Sequence, residues 1–316
     1  MKAPFPYFGG KARVASLCWQ ALGHCDNYVE PFAGSLACLL SRPQDRVPWP
    51  PKGETVNDLD GYVVNAWRSI QAAPADVAAL IEGLGPSQEL TLHAVNRELI
   101  SRRGSITERL REDRQWYDAD LAACWLWGIC QWIGGGWAAS ATRGKPHLGN
   151  WGRGVFGLER RERIPAVLAG LSRRLRHVRI LCGDWSRCLT GVSLTCSDHG
   201  ATQGILLDPP YRGGNAEDMY ACETDVAADV ADWAREHGGR PELRIVLCGL
   251  AGEHSMPSGW RYVDSMMLQA ASRGKSKRQD RLYLSPHCLP VDGEQPCDPG
   301  QPVRRRQQSI YDLLGG

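Results

Sequence analysis

The stretch Gly204-Ile205-Leu206-Leu207-Asp208-Pro209-Pro210-Tyr211 constrains the fold of this chain more than any other. Three branched apolar residues in a row are typical of the end of a buried strand. Two prolines cannot continue that strand, and they fix the backbone just beyond its end. In open α/β sheets, ligands bind in the crevice outside the carboxyl ends of the strands. We therefore predict a buried strand whose tip forms part of a ligand site.

The residues at this tip suit a reaction at the exocyclic amine of a nucleobase. Such a nitrogen is a weak nucleophile because its lone pair is delocalised into the ring. The Asp208 carboxylate and the rigidly held carbonyl of Pro209 can each accept one N–H, which stabilises the positive charge that develops on the nitrogen. Tyr211 offers a ring face on which a planar base can stack. The alternative is a loop-capping aspartate followed by two turn prolines.

Two upstream stretches predict the loops of a nucleotide site. Residues 5–11, Phe-Pro-Tyr-Phe-Gly-Gly-Lys, favour a loop whose backbone can approach a ligand closely, although an ordinary N-terminal turn is the alternative. Residues 28–37 predict a short strand, a tight turn and a helix that continues to Leu40. Gly34 would let this turn pass close to a ligand, and the start of the helix presents free N–H groups.

Two further predicted strands end in acidic residues. Residues 54–60 end in Asp58 and Asp60, and an acid after the second strand of such a fold typically binds ribose hydroxyls. Asp60 is better placed to cap the helix that starts near Gly61. Residues 178–185 predict a strand followed by Asp184 and Trp185, where Asp184 could equally cap a helix.

The Asp208–Tyr211 tetrapeptide resembles the catalytic motif of amino-methyltransferases that use S-adenosylmethionine. With the upstream motifs in the same order, residues 5–211 resemble the Dam-like DNA adenine-N6 methyltransferases of phages and bacteria. The family pattern has a second glycine where this chain has Leu36, and usually phenylalanine where it has Trp185. The resemblance implies that S-adenosylmethionine is the cofactor, with its ribose on Asp58 and its adenine beside Asp184. The positions that match cofactor-binding residues are Tyr7, Lys11, Glu30, Pro31, Phe32, Gly34, Asp58, Asp184 and Trp185.

The resemblance also implies a fold and a domain organisation. We expect a doubly wound α/β fold with a seven-strand Rossmann-like sheet and an inserted helical target-recognition domain. The catalytic domain would comprise residues 1–71 and 178–285, and the insert residues 72–177, where helical patterns recur and strand patterns are absent. Residues 286–316 are rich in proline, glycine, glutamine and charge, and we expect a flexible tail there.

The distribution of charge predicts contact with double-stranded DNA. The net charge is only +2, but residues 97–179 contain sixteen lysines and arginines against eight aspartates and glutamates. Such local basicity suits a phosphate backbone. The alternative is a solvated arginine-rich helix surface around a tryptophan core. The predicted DNA-binding residues are Arg143, Lys145, Asn150 and Arg153 in the glycine-rich stretch 134–154, and Arg273 and Lys275 in a basic loop.

Other features limit the location and the partners. The start of the chain lacks the charged and apolar regions of a signal peptide. Residues 121–142 are uncharged, but their compact apolar part ends at Ile133, before three glycines, which favours a buried helix over a membrane span. The twelve cysteines are scattered and form no Cys-x-x-Cys pair, so we expect reduced thiols and no zinc site. We predict a cytoplasmic protein of a bacterium or a phage-infected host, with no membrane partner and no obligate protein partner.

The predicted reaction is transfer of a methyl group to the N6 amine of an adenine that is flipped out of the duplex, without a metal. Transfer to the N4 amine of cytosine or to a protein glutamine amide is an alternative with similar chemistry. A non-catalytic relative that binds cofactor or DNA is a third. Aspartate rather than asparagine at position 208 favours adenine, and the intact Asp208, Tyr211 and Asp58 favour an enzyme.

Overall fold

The computed structural model describes residues 1–7, 9–43, 53–85, 89–134, 136–139, 144–146, 154–156, 163–190, 201–211, 226–265 and 280–298. These residues form a mixed α/β structure around a largely parallel sheet of eight strands. This architecture is compatible with the Rossmann-like fold that the sequence predicts. Within the described ranges, no helix is both long and apolar enough to cross a membrane.

The strands run in chain order as β1 Asn27–Glu30, β2 Gly53–Asp58, β3 Trp132–Ile133, β4 Lys145–Pro146, β5 Val178–Cys182, β6 Gln203–Leu207, β7 Leu243–Leu250, β8 Arg261–Ser265, β9 Asp280–Leu284 and β10 Gln295–Pro296. The central sheet has the order β10-β8-β9-β7-β6-β1-β2-β5. Strands β7, β6, β1, β2 and β5 are parallel, whereas β9, β8 and β10 continue the sheet in antiparallel pairs. The short strands β3 and β4 form a separate antiparallel ribbon.

The helices are α1 Ala15–Leu22, α2 Ala37–Leu40, α3 Gly61–Ala72, α4 Pro74–Leu84, α5 Glu89–Glu112, α6 Ala119–Ile129, α7 Ile164–Leu175 and α8 Val226–His237. Short 3-10 turns cover Lys11–Arg13, Gly154–Phe156 and Trp185–Cys188. The predicted cap of α3 is confirmed, because Asp60 Oδ1 accepts a hydrogen bond of 2.9 Å from the Tyr62 N–H.

Strand β6 shows why the sheet is covered on both faces. All five of its residues are buried, as expected for a strand with helices on either side. Leu206 packs in the larger apolar cluster with side chains of α1 to α7. Ile205 and Leu207 point the other way and pack with side chains of α8. The alternation follows the two-residue period of a strand and gives the sheet the helical layers of a doubly wound fold.

The strand order reverses between β1 and β6. From β1 the chain adds β2 and β5 on one side, and it then returns to place β6 and β7 on the other side of β1. Such a reversal leaves a crevice outside the carboxyl ends of the two strands, where ligands of open α/β sheets bind. Here that crevice lies between the ends of β1 at Glu30 and of β6 at Leu207.

The segment predicted as an insert is mainly helical, and its helices pack on the rest of the chain. Side chains of α4 to α7 belong to the same apolar cluster as those of α3 and the sheet. Arg68 of α3 is buried and donates hydrogen bonds to the carbonyls of Leu110, Asp113, Trp116 and Ile180. Helices α3, α5 and strand β5 are thereby tied together, so this helical layer shares its core with the sheet.

The predicted start of the flexible tail at residue 286 is wrong for residues 286–298. Cys288 and Val291 are buried, and the Leu289 N–H donates to the Ala21 carbonyl at 2.7 Å. Strand β10 pairs with β8, which makes the sheet eight-stranded rather than seven-stranded. Apolar side chains and one short pairing therefore outweigh the polar composition of this segment. Residues 299–316 lie outside the described ranges.

Candidate functional site

The carboxyl ends of four neighbouring parallel strands place four predicted acidic residues on one edge of the sheet. Glu30 ends β1, Asp58 ends β2, Asp208 directly follows β6, and Asp184 lies two residues beyond β5. Because these strands are parallel neighbours, their ends meet at the same edge. The structure therefore brings together residues that lie far apart in sequence, on both sides of the point where the strand order reverses.

Asp208 forms an ion pair with Lys11 of the N-terminal loop. The distance between Lys11 Nζ and Asp208 Oδ1 is 2.9 Å, and the two side chains are 8% and 19% exposed. Burial opposes the charge on Lys11, but Asp208 and the other acidic groups nearby together outweigh this effect and raise the pKa of Lys11. Burial also raises the pKa of Asp208, against the effect of Lys11. The 2.9 Å contact between opposite charges favours the ionised pair.

Tyr211 lies beside this ion pair. The Lys11 ammonium is 4.9 Å from the centroid of its ring, so one ring face meets a cation. The hydroxyl oxygen is buried, and the phenol lies close enough to Asp208 to stabilise the charge of this carboxylate. Burial and the Asp208 carboxylate raise the pKa of this phenol, which therefore stays protonated. A cationic N–H donor, a carboxylate and an aromatic ring thus converge at the tip of β6.

The turn after β1 is held tightly around Gly34. Its φ is +45°, and its N–H donates to Asp58 Oδ2 at 2.8 Å. A Cβ at this position would lie 2.6 Å from Cε1 of Tyr7, so the predicted residues Tyr7 and Gly34 are in contact. Leu36, which replaces the expected second glycine, has a φ of +53°. The backbone therefore keeps the left-handed conformation that glycine favours, at a cost in strain.

Replacing Gly34 by alanine is expected to lower the free energy of unfolding by about 2–4 kcal/mol. The new Cβ would strain the left-handed backbone and would overlap the Tyr7 ring. The matched control is Gly83→Ala in α4, where nothing lies within 4 Å of the new Cβ, and which should stabilise the helix by about 0.5–1 kcal/mol. Urea unfolding without cofactor measures both, and equal effects would show that the contact with Tyr7 is unimportant.

Asp58 links the Gly34 turn to α3. Its Oδ2 accepts from Gly34, and its Oδ1 accepts a hydrogen bond of 2.9 Å from the Asp60 N–H. Burial raises the pKa of Asp58 to about 7 despite these hydrogen bonds. An ionised carboxylate offers about four acceptor positions, so acceptor capacity for a ligand hydroxyl remains.

Asn57 is a site residue that the sequence analysis missed. Its Nδ2 donates to the carbonyls of Pro31 at 3.1 Å and of Gly183 at 2.9 Å, and so ties the turns after β1 and β5 to β2. Its Oδ1 is buried without a hydrogen-bond partner among the described residues. Asparagine is depleted in strands, and its presence just before Asp58 was the signal that could have identified it.

Asp184 and Trp185 start a 3-10 turn at the end of β5. The cap that the sequence offered as an alternative role is present, because Asp184 Oδ1 accepts a hydrogen bond of 2.9 Å from the Ser186 N–H. The rings of Trp185 and Phe32 are inclined by only 21°, with centroids 6.4 Å apart. Both rings are partly exposed, so they present an aromatic surface next to an exposed carboxylate.

Glu30 occupies a different environment from the other acids. It is 4% exposed, and its Oε2 accepts a hydrogen bond of 3.0 Å from the Tyr28 hydroxyl. Burial, with a smaller contribution from Asp208, raises the pKa of Glu30 to about 8. At neutral pH this predicted cofactor-binding residue is therefore mainly an uncharged acid beneath the site.

Replacing Glu30 by glutamine is expected to stabilise the protein at alkaline pH. Because the folded state keeps a proton that the unfolded state loses above its ordinary pKa of 4.5, the stability of the wild type should fall as the pH rises to about 8. Glutamine cannot ionise, but its amide oxygen can still accept from Tyr28. Urea unfolding at pH 5 and pH 9 should show a gain for Glu30→Gln only at pH 9, and none for Glu82→Gln on the exposed face of α4. A pH-independent difference would contradict the assignment.

The structure describes only part of the predicted DNA-binding surface. Lys145 is exposed on β4. Part of the basic excess in residues 97–179 is structural, because Arg174 is buried and binds Glu54. Of the tryptophans there, Trp125, Trp127, Trp132 and Trp137 are buried, which both interpretations of this region predict. The predicted residues outside the described ranges are Arg143, Asn150, Arg153, Arg273 and Lys275.

No protein-family model matches the chain, and no curated protein matches it.

Proposed function

We propose that this chain is a DNA methyltransferase that transfers a methyl group from S-adenosylmethionine to the N6 amine of a flipped adenine in DNA. The observation that carries the proposal is the contact between Lys11 Nζ and Asp208 at the tip of β6. A positively charged nitrogen with hydrogens to donate already sits on this carboxylate, beside the Tyr211 ring. The same carboxylate and ring would stabilise an amine that becomes positively charged during methyl transfer.

The residues near the ends of β1, β2 and β5 fit the proposed cofactor. The left-handed Gly34 turn lies where the strand order reverses, which is the expected place for a nucleotide. Asp58 lies at the end of β2, where an acid can accept from ribose hydroxyls. Asp184 and the partly exposed Phe32 and Trp185 rings suit an adenine, since a carboxylate can accept from its amine while rings cover its faces.

In the proposed mechanism, Asp208 accepts one N–H of the target amine and the Pro209 carbonyl accepts the other. These two acceptors draw the nitrogen towards a tetrahedral geometry and stabilise its developing charge. S-adenosylmethionine, when bound, supplies an electrophilic methyl group on sulfur. Lys11 has to leave Asp208 for the reaction, because its ammonium would repel the positive charge that develops on the target amine in the transition state.

DNA as the substrate is supported by the exposed basic residue Lys145 on β4. The neighbouring strand β3 contributes the buried Trp132, so β4 is the exposed strand of this ribbon. The remaining basic residues of the region would supply the phosphate contacts. A protein glutamine amide would need no basic surface, and we therefore favour DNA.

Sequencing of modified bases in DNA from cells that express the protein tests this proposal. We expect N6-methyladenine at one fixed sequence, and none in cells that express Asp208→Ala. N4-methylcytosine would instead support the cytosine alternative. Unmodified DNA, together with methylated glutamine in cellular protein, would overturn the DNA substrate. Failure of the purified protein to bind S-adenosylmethionine would overturn the proposed enzyme class.

Replacing Asp58 by alanine is expected to weaken S-adenosylmethionine binding by about 1.5–3 kcal/mol, the range for a hydrogen bond to a charged group. Isothermal titration calorimetry measures the affinity. The matched control is Asp60→Ser, because serine keeps the cap of α3 and should leave the affinity unchanged. The opposite pattern, with the loss in Asp60→Ser, would assign the ribose to Asp60.

A further inference from the structure

Another buried carboxylate, Asp280, lies beside the end of β7, the strand next to β6. Asp280 is the first residue of β9, where it pairs with Leu250 of β7 and Ser265 of β8. It is 6% exposed, and its Oδ1 has no hydrogen-bond partner among the described residues. A buried acceptor without a donor is costly, so a donor that moved to this oxygen would be stabilised there.

Lys11 is a donor within the electrostatic reach of Asp280. Burial raises the pKa of Asp280 to about 6, and the Lys11 ammonium acts against this rise, while Asp208 and Glu253 add to it. Asp280 in turn favours the charged form of Lys11. Strands β6 and β9 flank β7, so their backbones are roughly 10 Å apart at the common spacing of neighbouring strands. The Lys11 ammonium thus pairs with Asp208, and Asp280 lies at the same edge of the sheet.

The proposed reaction requires Lys11 to move. The Lys11 ammonium would repel the positive charge that develops on the target amine, so it has to leave Asp208. A buried ammonium without a carboxylate is strongly disfavoured. Lys11 also donates to the Gly9 carbonyl at 3.0 Å, but a neutral carbonyl does not balance its charge. Among the groups with the largest effects on the charge of Lys11, the carboxylates are Asp208 and Asp280.

We propose that Asp280 is a positioning residue, which receives the Lys11 ammonium when the target amine takes its place on Asp208. The expected effect of Asp280 on catalysis rests on the proposed function. The pairing of Lys11 with Asp280 does not depend on methyl transfer and can be measured without it.

The pairing is tested by titration of the Lys11 amine, followed by NMR of protein labelled with ¹³C-lysine. In Asp208→Asn, which mimics the loss of the first partner, we expect the pKa of Lys11 to stay above the value for an exposed lysine. Adding Asp280→Asn should lower it by at least one unit further, whereas adding Asp264→Asn, which removes a carboxylate near Arg281 instead, should not. If Asp280→Asn leaves the pKa of Lys11 in Asp208→Asn unchanged, the proposal is wrong. Asp280→Ser is the second variant, should the asparagine variant fail to fold.

The catalytic consequence is tested by turnover. Asp280→Asn should lower kcat at least tenfold and leave the affinity for S-adenosylmethionine within twofold. Asp280→Glu should restore part of the loss, because it returns the charge. In Lys11→Met, adding Asp280→Asn should cause no further loss, since there is no ammonium to receive. If Asp280→Asn lowered kcat in Lys11→Met as much as it does in the wild type, the role of Asp280 would be wrong. Absence of methyl transfer in the wild type would instead overturn the proposed function and leave the titration result intact.

Discussion

Replacing Asp208 by alanine is expected to abolish methyl transfer while the affinity for S-adenosylmethionine changes by less than about tenfold. The carboxylate would stabilise the positive charge on the target nitrogen, and this charge develops only in the transition state. The cofactor site that we propose lies instead at the Gly34 turn and the ends of β2 and β5. Transfer of a labelled methyl group to DNA measures turnover, and calorimetry measures cofactor binding.

This prediction needs a control for folding, because Asp208→Ala leaves the buried Lys11 without its partner. The double variant Lys11→Met/Asp208→Ala removes that unpaired charge and should also be inactive. Asp232→Ala removes a carboxylate that pairs with Arg235 on the exposed side of α8, and it should keep full activity. Near-normal turnover in a folded Asp208→Ala protein would remove Asp208 from the reaction.

Replacing Glu54 by alanine is expected to lower the free energy of unfolding by about 3–5 kcal/mol, the range for a broken buried ion pair. Glu54 lies in β2 and binds two arginines, with Arg42 Nη1 at 2.9 Å from Oε1 and Arg174 Nη1 at 2.6 Å from Oε2. All three side chains are less than 5% exposed. Without Glu54, two buried guanidinium groups would lose their common counter-charge. Denaturation in urea, followed by circular dichroism, measures the loss.

An exposed ion pair provides the control for this effect. Glu98 pairs with Arg102 on α5, and both side chains are more than half exposed. Glu98→Ala should cost less than about 1 kcal/mol, as exposed pairs do, and added salt should reduce the cost. A Glu54→Ala loss as small as that of Glu98→Ala would contradict the structural role that we assign to the buried cluster.

The sequence alone was sufficient for the local elements of the site. Apolar runs that end in an acid, a glycine turn or two prolines identified the parallel strands β1, β2, β5 and β6 within a few residues. Each signal is local, because strand propensity, chain reversal and helix capping depend on residues a few positions apart. The cap at Asp60 and the covered faces of β6 follow from such patterns. Parallel strands then bring their carboxyl ends to one edge, which is why four of the predicted acids meet there.

Only the tertiary structure decided which side chains became partners. The pairing of Lys11 with Asp208, the bridge from Asn57 to the turns after β1 and β5, and the position of Asp280 depend on which strands are neighbours. The same holds for Arg174, which local composition assigned to a basic surface and which burial beside Glu54 makes structural. A basic residue looks the same in sequence on a surface or in a core, because its role depends on a counter-charge supplied from a distant part of the chain. Pairwise electrostatics and burial act through space, and no local pattern encodes them.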